Sequence, residues 1–312
     1  MKEEKRPVKK DLKTRPVKVL TSANLAQLVL LGEEHSGRDE MNLAGHPFAL
    51  LQAPGRCVSS EPIFYQWPRT LPDGKSVTAS WRVQPGAHSG MPGPNEELLY
   101  LVMLQMTREA AGENEQWPQV VPFSRGALLD RLGWNNGPRG FAALESAFSR
   151  LNAVSISAQW AFYDARTAAP MKSVMFHILS GVAITPEPMG RKRSGALPLS
   201  WWKWDDIVYS SLLADNVRSL ALDFTLSLSS PTARRLFRLL DLLRNAAQSP
   251  RQEVAIGTFK LRDRLGMAPY KHQSKVKEKL LAGTQELQST GYLSQVTWET
   301  MRGGSPLAVF QF

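Results

Sequence analysis

The sequence predicts an α+β fold made of two tandem, duplicated winged helix-turn-helix domains with a basic N-terminal arm. The phrase L-x-D-R-L-G occurs twice, in LLDRLGW at Leu128–Trp134 and in LRDRLGM at Leu261–Met267. An apolar helical segment precedes each copy, a second one follows it, and paired segments rich in β-branched and aromatic residues come next. The order helix, helix, turn, helix, hairpin is that of a winged helix-turn-helix.

The charge of the chain favours a polyanionic partner. The 312 residues suffice for about two domains, and 38 Lys and Arg against 28 Asp and Glu give a net charge of +10. Such a balance points to nucleic acid before membrane. The single cysteine, Cys57, excludes an internal disulfide and suits a reducing cytoplasm. No uncharged run approaches the ~20 apolar residues of a membrane span, so we expect a soluble, cytoplasmic protein.

Residues 1–38 are predicted to form a basic, largely disordered arm that contains a short amphipathic helix. Residues 1–18 hold eight Lys and Arg, three acidic residues and two prolines. Four leucines then recur at helical spacing: Leu20, Leu25, Leu28 and Leu31. The arm either binds phosphates or is a solvated tail.

Three further segments follow the arm in this prediction. The first winged-helix domain takes residues 39–185 and includes an N-terminal β-hairpin around Asp73 and Gly74. The stretch TPEPMGRKRSGALP has the composition of an exposed linker, which we place at residues 186–198. The second winged-helix domain takes residues 199–312.

Charge separates the two predicted domains. Residues 95–185 hold seven basic and eight acidic side chains, whereas residues 230–312 hold thirteen basic and six acidic ones. The second domain, with a net charge of +7, is therefore expected to be the main DNA reader.

The third helix of the second domain, near residues 271–289, carries the predicted base-reading face. Four side chains share one side of it, opposite its apolar residues: Lys271, Ser274, Lys275 and Glu278. Lysine donates to guanine acceptors, and a glutamate accepts from the amino group of cytosine. Residues beside this face are predicted phosphate contacts: His272, Lys277 and Lys279. The alternative interpretation is a solvated, lysine-rich helix face.

Other basic and polar helix residues extend the set of predicted phosphate contacts. Arg234, Arg235 and Arg238 lie on a helix that Ser230 caps. These arginines either bind phosphates or form the solvent-facing side of a helix that packs in the core. In the first domain, the predicted backbone contacts are Arg139, Ser146 and Arg150. The near-neutral charge of that domain suits protein contacts equally well.

The assembled residues resemble a plasmid replication initiator of the replication initiator protein A family, within the two-winged-helix initiators of iteron plasmids. The resemblance extends from about residue 39 to the C-terminus. The stretches that carry it are DEMNLAGHPFALL, SGMPGPNEELLYLVMLQM, FSRGALLDRLGW, FAALESAFSRLNAVSI, WWKWDDIVYSSLLADNVRSLALDFTLSLSSPTARRLFRLLD and LRDRLGM. The block DFTLSLSSPTARRLFRLLD is the most specific of them.

The resemblance implies an origin-binding protein whose second winged helix reads directly repeated sites, or iterons, in double-stranded DNA. It also implies origin opening, recruitment of the host initiator ATPase and the replicative helicase, and repression of the protein's own gene by dimers. The first winged helix would add backbone contacts in the monomer and form the interface of the homodimer. The resemblance fades over residues 1–38. The acid-rich first domain is a second departure from the family, because its charge does not favour strong contact with DNA.

The sequence argues against one rival function and leaves two others open. A rolling-circle nuclease needs a His-x-His metal pair, but the five histidines (His35, His46, His88, His177 and His272) never fall two apart. We therefore expect no catalysis, no metal and no cofactor. A winged-helix transcription regulator without initiator activity fits the pattern as well as an initiator does. A protein adaptor would use the cluster Trp201, Trp202 and Trp204, although aromatic clusters are more often core.

Overall fold

The computed structural model describes residues 37–51, 61–112, 116–185, 200–247, 249–300 and 306–312. The described residues contain both helices and strands, and their strand pairs are antiparallel, so the predicted α+β class is confirmed. The predicted arm up to residue 36 and the predicted linker at 186–198 lie outside the described residues. The arm was predicted to reach residue 38, but Gly37 and Arg38 belong to the first strand.

The N-terminal half is rich in strands and contains three longer helices. Its elements are β1 (Gly37–Glu40), α1 (Met41–Gly45), β2 (Ile63–Thr70), β3 (Ser76–Gln84), α2 (Pro94–Ala111), β4 (Val120–Phe123), α3 (Arg125–Leu132), α4 (Pro138–Ala153), β5 (Ser155–Gln159), β6 (Tyr163–Asp164), β7 (Ala169–Pro170), β8 (Val174–His177), β9 (Leu179–Ala183) and β10 (Ser200–Trp204). The C-terminal half continues with α5 (Asp206–Leu213), β11 (Val217–Leu220), α6 (Leu222–Ser227), α7 (Pro231–Arg244), β12 (Glu253–Gly257), α8 (Thr258–Arg264), α9 (Gln273–Ser289), β13 (Gln295–Thr300) and β14 (Pro306–Gln311).

The two halves contain the same succession of elements. In the first half, α2, β4, α3, α4, β9 and β10 have the order helix, strand, helix, helix, strand, strand once the intervening strands β5–β8 are left out. In the second half, α7, β12, α8, α9, β13 and β14 follow the same order. Each half has a three-stranded antiparallel sheet in which the last strand lies between the other two, as β4-β10-β9 and as β12-β14-β13.

The repeated L-x-D-R-L-G phrase forms the same turn in both halves. Gly133 ends α3 with φ +66°, and Gly266 follows α8 with φ +67°. Each glycine N–H donates to the carbonyl of the aspartate in the phrase, and the next residue donates five residues back. Glycine tolerates this left-handed conformation because it has no Cβ.

The structure corrects the predicted domain boundary. Residues from 199 onward were assigned to the second domain, yet β10 lies between β4 and β9 in the sheet of the first half. The predicted linker therefore joins two neighbouring antiparallel strands of one sheet. Proline, glycine and charge mark a loop between strands as readily as a boundary between domains.

The first half also contains an inserted sheet, which corrects its predicted wing. β2 and β3 form the predicted hairpin, with Gly74 at φ +81°. They continue through β5 and β8 into a four-stranded sheet of order β2-β3-β5-β8. β5 and β8 pair as expected, but β9 turns away to pair with β10. A strand signal in the sequence does not specify the partner strand.

Strand β1 ties the start of the described chain to the second half. It pairs antiparallel with β11, and the buried Glu40 at its end accepts hydrogen bonds from Ser211 Oγ at 2.7 Å and Asn216 Nδ2 at 3.0 Å. Glu40 also accepts from Asn42 Nδ2 and Leu43 N, both at 2.8 Å. Burial raises the pKa of the Glu40 carboxyl.

A buried ion cluster joins both halves at their centre. Arg238 of α7 donates two hydrogen bonds to Asp39 of β1, at 2.5 and 2.6 Å, and one to Glu97 of α2, at 2.6 Å. Arg235 donates to the same Glu97 oxygen at 2.9 Å and to the Arg264 carbonyl at 2.9 Å. Arg235 and Arg238 are only 2% and 1% exposed, so these partners take the place of water.

We predict that Glu97→Gln destabilises the protein strongly. Both arginines would lose their shared counter-charge while staying buried, and breaking a buried pair in this way costs about 3–5 kcal/mol. Urea unfolding followed by circular dichroism measures the loss. Glu109→Gln is the matched control, since Glu109 pairs with Arg131 at 2.7 Å but both side chains are 43% exposed. Its effect should stay below ~1 kcal/mol, and equal losses for the two variants would contradict the prediction.

The contribution of Glu97 should depend on pH. Burial raises the pKa of this carboxyl, but Arg235 and Arg238 outweigh burial and hold the pKa below the ordinary 4.5. A depressed carboxyl pKa stabilises the fold above the unfolded value, and this stability is lost as the pH falls through the folded value. The difference in unfolding free energy between wild type and Glu97→Gln should therefore be constant from pH 7 to about 5. It should shrink below the ordinary value of 4.5, and a constant difference down to acid unfolding would refute this assignment.

Candidate nucleic-acid interface

Helix α9 lies against α7 along a stripe that leaves most of its polar residues outside. The buried residues of α9 are Val276, Leu280, Gly283, Thr284 and Leu287. At Gly283 the helices cross closely, because a Cβ there would lie 2.7 Å from Thr232 Cγ2 and 2.8 Å from Ala233 N. The opposite side of the helix faces solvent.

The far end of α9 is fixed to the first turn of α7. The Glu286 carboxylate accepts from Ser229 N at 2.6 Å, from Ser229 Oγ at 2.9 Å and from Ser230 N at 2.9 Å. These bonds satisfy backbone donors at the start of α7. Together with the Gly283 crossing, they hold α9 rigidly on the second half.

The helix begins later than the sequence predicts. It starts at Gln273, and His272 is the N-cap with φ −113° and ψ 134°. Lys271 and His272 are both exposed but precede the first helical turn. They therefore lie at the entry to α9, and Lys271 is not part of the helical face on which the sequence places it.

The solvent side of α9 divides into a central stripe and two flanks. At 100° per residue, Glu278 and Gln285 lie nearest the centre of the solvent side, with Ser274 beside them, and Lys275 and Leu281 lie at similar angles on its two edges. Lys277 and Lys279 lie farther round, one on each flank. Ser274 and Glu278 thus occupy the predicted centre, whereas Leu281 and Gln285 were missed. The sequence signal for Leu281 was present but ambiguous, since an apolar helix residue is expected to be buried.

Lys275 and Glu278, two of the predicted base readers, contact each other. Lys275 Nζ donates to both carboxylate oxygens of Glu278, at 2.8 and 2.9 Å. The hydrogen bond from Lys275 holds the pKa of Glu278 below its ordinary value. The two side chains are 45% and 57% exposed, so water screens this pair and a ligand can replace it.

The structure corrects two predicted phosphate contacts on α7. Arg235 and Arg238 belong to the buried ion cluster, and they are inaccessible to DNA because only 2% and 1% of them are exposed. Arg234 is partly exposed, but it donates to the Leu228 carbonyl at 2.7 Å. Lys260, on α8, is exposed, and sequence reasoning missed it.

Of the phosphate contacts predicted in the first half, two are exposed and one is hydrogen-bonded within the fold. Arg139 and Ser146 are exposed on α4. Arg150 is instead committed within the fold, since it donates to Glu96 at 2.6 and 2.9 Å. Glu96 in turn accepts from Gly93 N at 2.6 Å, at the start of α2. The outer face of α4 therefore offers few cationic groups.

The tryptophan cluster considered for an adaptor is largely core. Trp202 and Trp204 are fully buried, and Trp204 Nε1 donates to Thr107 Oγ1 at 3.0 Å. Trp201 is 37% exposed on the outer side of the sheet.

The described residues contain neither a cluster of metal-binding side chains nor a helix that could span a membrane. No three or more His, Cys, Asp or Glu side chains converge there in a way that could hold a metal ion. Nor does any helix in that part of the chain have the length and apolar character needed to cross a membrane.

Comparison with known proteins assigns the family. The model of the family described as replication initiator protein A matches residues 38–287, and the chain belongs to this family of replication initiators. No curated protein matches the chain.

One solved structure shares the fold. A crystal structure of domains 2 and 3 of RctB, a selenomethionine derivative, superposes with a TM-score of 0.53 at 13% identity. The superposition covers 87% of this chain and 97% of the RctB chain. A second crystal structure of RctB domains 2-3 gives a TM-score of 0.46 at 13% identity, with 84% and 94% covered. The first likeness shows a shared architecture across both halves.

We predict that Gly283→Ala weakens the packing of α9. The added Cβ would meet the Ala233 backbone nitrogen at 2.8 Å, and overpacking of this kind costs about 1–3 kcal/mol. Thermal unfolding measures the effect. Ala282→Ser, one residue away on the exposed side, should stay within about 0.5 kcal/mol of wild type. A Gly283→Ala protein as stable as wild type would show that the two helices separate easily.

Proposed function

We propose that the protein is a sequence-specific, double-stranded DNA-binding initiator of plasmid replication, which binds direct repeats at the origin through helix α9. The observation that carries the proposal is the outer side of α9. It presents a polar stripe between flanking lysines, on a helix that packing fixes from behind. Family membership supports the initiator role.

The proposal treats each half as a winged helix-turn-helix. The shared element order, the shared sheet order and the matching glycine turns support two copies of that unit. In such a unit the third helix enters the major groove, and the last two strands form the wing. These positions correspond to α4 in the first half and α9 in the second.

Charge favours α9 as the reader. The second half holds the excess of basic residues, and the accessible ones on α9 or at its start include Lys271, Lys277 and Lys279. Lysines at the sides of a helix in the groove suit phosphates, which position the protein. Ser274 and Glu278 at the centre of the outer face suit base edges, and Lys275 would exchange Glu278 for a DNA acceptor.

The first half has a different proposed role. The outer face of α4 provides Arg139 and Ser146 for backbone contacts but lacks the lysines of α9. We assign this half to weak DNA backbone contact in the monomer and to the homodimer interface. Dimers would repress the protein's own gene and so help to set plasmid copy number.

The remaining parts of the proposal follow from the family. An initiator opens the origin and recruits the host initiator ATPase and replicative helicase, acting without catalysis or cofactor of its own. It would work in the bacterial cytoplasm, associated with the plasmid and nucleoid. A transcription regulator would bind the same repeats without opening them, so nuclease sensitivity of a supercoiled origin plasmid separates the two functions.

We predict opposite behaviour for two neighbouring α9 variants. A preferred duplex is first selected by the protein from a random-sequence library, and binding to it and to a scrambled duplex is measured across a salt series. Lys277→Ala removes a phosphate contact, so affinity should fall for both duplexes and the salt slope should flatten by about one unit. Glu278→Ala should reduce affinity for the selected duplex by about 1–3 kcal/mol relative to the scrambled one.

Glu278→Ala also frees Lys275, so affinity for the scrambled duplex should rise. This rise distinguishes the loss of a base contact from partial unfolding, which would weaken binding to both duplexes. If wild type selects no sequence and its binding depends little on salt, the proposed function fails. The adaptor hypothesis, with Trp201 on the surface, would then take its place.

A further inference from the structure

An apolar side chain interrupts the polar outer stripe of α9. Leu281 is 49% exposed, and it lies between Glu278 and Gln285, both exposed. The fold does not require a leucine there, because Leu281 is not one of the buried residues through which α9 packs on α7. This side chain is therefore free to contact a ligand of the helix.

The stripe has the length and direction of a base-reading surface. Ser274, Glu278, Leu281 and Gln285 follow the spacing i, i+4, i+7 and i+11, which keeps them on one side of a helix. At a rise of 1.5 Å per residue, the stripe spans roughly 16 Å. Base pairs in B-DNA are 3.4 Å apart along each strand, so the stripe passes about five base pairs, with Leu281 in its middle.

The charges around Leu281 decide between DNA and a protein partner. Lys277 and Lys279 flank the stripe, and Glu278 lies one turn away. The centres of protein–protein interfaces are depleted of such charged residues. Lysines on both sides of the stripe instead match the phosphate strands on both sides of the major groove.

The floor of the major groove offers a leucine one apolar group, the C5 methyl of thymine. We infer that Leu281 contacts a thymine methyl, so that the C-terminal half of the α9 stripe reads an A·T-containing part of the site. Gln285, one turn further, presents the amide that pairs with N6 and N7 of adenine. The inference rests on the proposed function and adds to it a base composition: G·C contacts near Ser274 and Glu278, then A·T contacts near Leu281.

Deoxyuridine substitution tests this contact, because uracil differs from thymine by the methyl group alone. Each thymine of the selected duplex is replaced in turn, and binding is measured by fluorescence anisotropy. Wild type should bind about fourfold more weakly when one particular thymine is replaced, the effect of one buried methyl-sized group. Leu281→Ala should bind the thymine and uracil forms of that duplex equally, while it responds to the other replacements as wild type does.

Leu213→Ala is the matched control. Leu213 lies on α5 and is 50% exposed, so the same substitution removes an equally exposed leucine away from α9. Its uracil profile should equal that of wild type. Because Leu281 is outside the core, Leu281→Ala should keep the wild-type melting temperature within about two degrees.

The outcomes that overturn the inference differ from those that overturn the proposed function. If wild type prefers the selected duplex but tolerates uracil at every position, the thymine contact is wrong and DNA reading by α9 stands. The inference is equally wrong if Leu281→Ala keeps the uracil sensitivity of wild type. If wild type prefers no duplex at all, the proposed function itself fails.

Discussion

The paired charges of Arg238, Asp39 and Glu97 are the constraint on which the arrangement of the two halves depends. A guanidinium that is 1% exposed needs full hydrogen bonding, and its two acceptors come from β1 and α2. Arg238 belongs to α7, the helix that carries α9 on its surface. The cluster therefore fixes α7 relative to the first half. Because α9 packs on α7, the DNA-reading helix of our proposal is also held in one position relative to α4.

Local features of the fold were predictable from the sequence, whereas its long-range pairings were not. The glycine turns, the longer helices and the hairpin at Gly74 depend on residues within a few positions of each other. The partner of Arg238 lies 199 positions away in the chain. A pattern of basic residues on a helix does not show whether an acidic residue will meet them, so α7 was open to two interpretations. The strand β10 was misassigned for the same reason.

The candidate site shows the same limit at finer scale. Sequence periodicity identified the side of α9 that faces outward, because the valine and leucines of its core stripe are strong signals. It did not show which exposed residues complete that side. The later helix start at Gln273 removes Lys271 from it, and Leu281 and Gln285 extend it toward the C-terminal end of the helix. Hydrophobicity alone assigns a leucine to the core, and only the packing around it shows otherwise.

The position of β10 has a consequence for how the chain can be divided. Because β10 forms the middle of the first sheet, a fragment that ended at residue 198 would expose the edges of both β4 and β9 and would lack the buried Trp202 and Trp204 of β10. A fragment that began there would keep an unpaired strand and lose Asp39 and Glu97 from Arg238. The two halves repeat one topology, yet neither is a self-sufficient folding unit. Cooperative unfolding of the whole chain follows from this interlocking.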